Sequence, residues 1–81
     1  PFNSSTTVRF NLPAASRVRI VIYNVAGQLV RELANGMAGP GAHVLEWDGT
    51  GADGRTAAPG VYVCRLDAGG MTRQIKLVLM R

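Results

Sequence analysis

The chain is 81 residues long, with 47% hydrophobic and 17% charged residues and a net charge of +4. That balance excludes intrinsic disorder and describes one packed domain, and the length leaves little structure for a preorganised catalytic cleft once a core is built. No apolar run approaches the roughly 20 residues that span a bilayer, so no membrane insertion is expected.

The chain opens on PFNSSTT, which reads as the continuation of a longer protein, with any export signal upstream. Beyond it the hydrophobic pattern has period two almost everywhere. In TTVRFNLP, Val8, Phe10 and Leu12 alternate with Thr7, Arg9 and Asn11 until Pro13 ends the strand. RVRIVIYNV sets Val18, Ile20 and Ile22 against Arg17, Arg19, Val21 and Tyr23, and Gly27 supplies the turn that follows. QLVREL reads as a shorter strand; a helix over AGQLVRELANG is the local alternative and is too short to be preferred, and ANGMAGPG carries turn chemistry throughout.

AHVLEWD alternates His43, Leu45 and Trp47 with Val44, Glu46 and Asp48, and a loop then runs to Gly60. VYVCRLD and TRQIKLVLM form the last hairpin, turned through AGG. The reading is an all-β protein, an immunoglobulin/fibronectin-like antiparallel β-sandwich of about seven short strands, or six if QLVREL is irregular. Residues 1–81 form one domain, expected to be the C-terminal domain of a larger secreted protein. Its core should include Phe10, Ile20, Ile22, Leu45, Trp47, Tyr62 and Leu66.

Catalysis is not expected. Cys64, the only cysteine, sits at an inward strand position and reads as a small buried hydrophobe, and the single His43 leaves an acyl-transfer set unfilled. Lys76 is the only lysine and alternates outward, away from the buried setting that isopeptide chemistry needs. No cofactor is expected. The loop DGTGADG resembles a calcium loop only in Asp48 and Asp53; it lacks the oxygen spacing and the terminal Glu, so paired Asx turns are the preferred reading. The arginines are scattered and not interleaved with aromatic residues, so no nucleic-acid partner is expected; Arg9, Arg17 and Arg19 read as a solvated strand face.

Four segments in order, PFNSSTTVRFNLP, VRIVIYNVAGQLVREL, GAHVLEWDGTGADGR and GVYVCRLDAGGMTRQIKLVLMR, resemble the C-terminal sorting domain of type IX (Por) secretion cargo. They are equally similar to the immunoglobulin-like domain of the flagellar hook-cap protein. Asn3, Gly27, Trp47, Asp48, Gly49, Gly54, Gly60, Tyr62, Leu66, Gly69 and Lys76 stand at signature positions of this group, and Asn24 replaces its usual Asp.

The sorting-domain resemblance implies a tail of an exported Gram-negative enzyme or adhesin, secreted or held at the cell surface after passing the periplasm. Its partners would be translocon components and an upstream catalytic or adhesin domain of the same chain. Recognition would fall on the outward residues of the last strand, Lys76, Val78, Met80 and Arg81, and the same apolar strand would support a weak homodimer. The alternative implied is a structural domain of a hook-cap type assembly protein, or a passive spacer in a multidomain secreted hydrolase.

Overall fold

A computed structural model describes residues 5–80. Its strands are β1 (Thr6–Leu12), β2 (Ser16–Asn24), β3 (Leu29–Ala38), β4 (Gly41–Trp47), β5 (Gly60–Ala68) and β6 (Met71–Leu79). All pairings between them are antiparallel. β1 and β4 make a two-stranded sheet, and the other four make a sheet in the order β3-β2-β5-β6.

The core forms where the inward phases of the two sheets meet. Val8, Phe10, Leu12 and Trp47 come from the small sheet; Val18, Ile20, Ile22, Tyr62, Cys64, Leu66, Ala68, Leu77 and Leu79 come from the large one. The expected sandwich is therefore present, as is most of the expected core. Leu45 is the exception, only partly buried beside the cluster, because β4 is an edge strand with nothing paired beyond it.

The described residues form six strands, not about seven. The run expected to be a short strand followed by turns is one ten-residue strand, β3. Ala38, Met37, Gly36 and Asn35 pair with Ser16, Arg17, Val18 and Arg19, so the β2 ladder satisfies the backbone of a segment whose composition suggests a loop. Two register shifts, between Ile20 and Val21 and between Ile22 and Tyr23, leave Leu33 and Val30 without a partner in the ladder. Both pack on the core, and such bulges bend and twist an edge strand.

The β5–β6 hairpin closes on Gly69 and Gly70, with φ of 54° and 84°. Two successive positive values are what a two-residue turn matched to strand twist requires, and glycine adopts them freely. β6 then pairs with β5 from Met71 to Leu79 without a shift.

Candidate functional site

The residues from Asp48 to Tyr62 form an ordered structure at one end of the sandwich. Asp48 Oδ1 accepts hydrogen bonds from the Thr50 hydroxyl at 2.6 Å, the Thr50 amide at 3.1 Å and Arg31 Nη1 at 3.4 Å. These bonds, the Thr50 contacts foremost, hold its carboxyl below the usual carboxylate range. Asp53 Oδ1 accepts the Arg55 amide at 3.0 Å. Both carboxylates thus serve their own turns, as Asx motifs do.

The loop is tied down at several points. Ala57 N–H donates to Gly49 O at 2.8 Å, Gly54 N–H to Gly51 O at 3.0 Å, and Ala52 N–H to Val30 O at 2.9 Å, which docks the loop on β3. Trp47, wholly buried, donates its indole N–H to Thr50 O at 2.9 Å and meets Tyr62 edge-on at 5.2 Å. The Tyr62 hydroxyl donates to Ala58 O, a link between strand and preceding loop like the tyrosine corner of immunoglobulin-type sandwiches.

The other chemistry-bearing groups are engaged in packing. Cys64 has no exposed surface, and burial pushes its thiol up to about 11, so it stays protonated at neutral pH. His43 stacks on Phe10 at 5.0 Å, and its Nε2 lies 2.7 Å from Gly39 O. Asn24 Oδ1 accepts the amides of Ala26 and Gln28, each at 3.0 Å, so Asn24 organises the β2–β3 turn around Gly27.

What remains is a surface: the outer face of the four-stranded sheet. Its register rows divide it in two. Toward the β5–β6 turn it is ionic. Arg19 donates to Glu32 at 3.1 Å, Arg65 pairs with Asp67 at 3.2 Å, the Thr72 hydroxyl donates to Asp67 at 2.7 Å and Arg17 donates to Asn35 at 3.2 Å. The Thr72 bond, then Arg65, lowers the Asp67 pKa. Val21, in the outward phase of β2, is nevertheless only 2% exposed although outside the core cluster.

Toward the other end the same face is apolar. Leu29 pairs with Tyr23, Tyr23 with Val63, and Val63 with Lys76; one row further, Val61 pairs with Val78. Val25, 78% exposed, borders the same depression as Tyr23 and Val63, and Met80 is exposed beyond β6. Exposed apolar residues gathered on one sheet face in this way make it the candidate contact surface.

Of the residues expected to carry recognition, Lys76, Val78 and Met80 fall in or beside this apolar half, while Arg81 lies outside the described residues, as does Asn3. Gly27, Trp47, Asp48, Gly49, Gly54, Gly60, Tyr62, Leu66 and Gly69 lie in turns, strand starts and core. The sequence reading did not single out Arg31 or the contributions of Val25, Leu29 and Val61. Strand register places Leu29 and Val61 on this face and the turn after β2 brings Val25 beside them, and no local motif signals it.

A family model described as the FlgD Ig-like domain matches residues 2–71. Among solved structures, the chain is similar to the crystal structure of FLGD from P. aeruginosa, with 26% identity and a TM-score of 0.64. That similarity covers 93% of this chain and 59% of that one. No curated protein matches.

These findings overturn the expectation of a type IX sorting domain and favour the hook-cap side of the resemblance. The cause of the error is physical. Turn glycines, a buried Trp beside a Tyr and an apolar closing hairpin are demands of the sandwich itself, so they do not discriminate between groups that share it.

Proposed function

The chain belongs to the FlgD Ig-like domain family, and from that premise we propose that it is a non-catalytic structural module of a flagellar hook-cap type assembly protein. The observation that carries this reading is the family match across residues 2–71. The solved FLGD chain adds support at the level of the whole sandwich. Two features agree with an assembly role. The nucleophile and the imidazole, Cys64 and His43, are occupied in packing, and the outer sheet face gathers exposed apolar residues that a neighbouring protein can cover. On this reading the domain acts outside the cytoplasm, at the hook, and works by holding its shape and presenting a face to neighbouring protein.

The test is genetic and structural. Deleting the coding segment for these residues from its own gene, in its own host, is expected to abolish hooks seen by electron microscopy while the shortened protein is still made. Hooks at normal number and length in that strain would overturn the assignment.

A further inference from the structure

We propose that the flank of the sandwich where β1 and β6 lie open is a strand-addition site for an extended acidic segment of another protein. The proposal rests on the two edges of the large sheet being built differently. The β3 edge carries two register shifts and accepts a loop hydrogen bond from Ala52 at Val30 O; it also stands against β4. Bulges and covering loops are how sheets blunt an edge against pairing.

β6 has neither; its guard is charge alone, Arg73 and Lys76, which repels a like edge and not an acidic strand. Its nine residues pair with β5 in unbroken register and contain no proline. The other side of β6 pairs with no strand among the described residues. Such a strand presents a row of backbone donors and acceptors, and an extended peptide can complete it.

Charge selects the partner. β1 and β6 contain no Asp or Glu, and they carry Arg9, Arg73 and Lys76. Elsewhere Arg19, Arg31, Arg55 and Arg65 each have a carboxylate partner and Arg17 has Asn35. Among the described residues, the cations without an acid partner or a side-chain hydrogen bond are thus the three on this flank. Arg9 and Arg73 border one cleft of about 370 Å³, together with Phe10, Asn11 and His43.

Arg73 is in phase with the inward Ile75 and Leu77, whereas Lys76 is on the outer face. An antiparallel strand added to β6 therefore meets Arg73 and Lys76 with residues three apart, on opposite faces. Acids at those two places, in a β-branched apolar background, complement both cations and the Ile75 to Leu79 stretch.

A second copy of this chain is the poorer occupant. Two β6 strands paired antiparallel in full overlap set Gln74 opposite Lys76 twice, leaving the two ammonium groups as diagonal neighbours with no acid in either strand. Like charges so placed are unfavourable. The proposal stands on edge geometry and charge and does not depend on the hook-cap reading.

The experiment is fluorescence anisotropy of the 81-residue chain with a labelled decapeptide of valine and threonine carrying two glutamates three residues apart. Saturable binding is expected. Replacing both glutamates by lysine should abolish it, and the Arg73→Glu, Lys76→Glu double variant should weaken it at least ~10-fold. Both substituted residues are exposed, and an unchanged melting curve checks that the variant folds.

Two further peptides, N-methylated at alternate residues in one phase or the other, separate strand addition from ionic adhesion. One phase should lose binding and the other keep it. Equal binding by both, equal binding of acidic and basic peptides, no binding at all, or self-association through β6 in place of peptide binding would each overturn the proposal.

Discussion

Trp47 and Tyr62 join the core to the end loop: one ring pair at 5.2 Å, one indole N–H on Thr50 O and one hydroxyl on Ala58 O. Trp47→Ala is therefore expected to cost about 3 to 5 kcal/mol, much of the ~5 kcal/mol available to so small a domain; a denaturant midpoint little changed by the substitution would refute the assignment. Titration offers a second check. Asp48 and Asp67 have lowered pKa values in the fold, so their contribution is present above the carboxylate range and lost as pH falls through it. The Cys64 thiol, raised to about 11 by burial, works in the other direction. The unfolded chain ionises it from ~8.5 upward, so stability falls as pH rises from there towards the folded value. The melting temperature should be flat near neutrality and drop on both sides, and Cys64→Ala should flatten the alkaline limb alone; an alkaline limb unchanged by that variant would contradict the account. Cys64, Trp47 and Tyr62 were legible in the sequence because alternation places them inward. Val21 and Arg31 were not, because alternation places Val21 outward although it is buried, and the role of Arg31 depends on a loop 17 residues away.

At the scale of elements, the strands with clean alternation were legible: β1, β2, β4 and both arms of the last hairpin. β3 was not. Its bulged residues, Leu33 and Val30, break the period, and its second half carries Asn35 and Gly36, which look like turn residues until the β2 ladder claims them. The candidate surface was legible only strand by strand. Lys76 and Val78 could be placed outward from β6 alone, but their neighbours Val61, Val63 and Tyr23 come from pairings that the sequence does not state. Ala52→Pro removes the N–H that reaches Val30 O and should cost about 1 kcal/mol or somewhat more. Amide exchange should quicken in the loop and around Val30 while β5 keeps its protection. A variant with native stability and native exchange in the loop would show that the contact contributes nothing.

As a whole the molecule is elongated, 37 × 21 × 21 Å, with one sheet face divided into ionic and apolar halves and one flank left open and basic. The sequence alone could not separate two groups that share its turn glycines and aromatic core; membership of the FlgD Ig-like domain family does so. On the proposed reading this particular sandwich, and not merely a folded spacer of its size, serves assembly. The most direct measurement is a count of hooks per cell by electron microscopy after the coding segment for residues 1–81 has been exchanged, in its own gene, for an unrelated immunoglobulin-like sandwich of similar length. Cells with the exchanged domain are expected to make the protein but lack hooks, while restoring the original segment restores them; hooks at normal number with the unrelated sandwich in place would refute the assembly role.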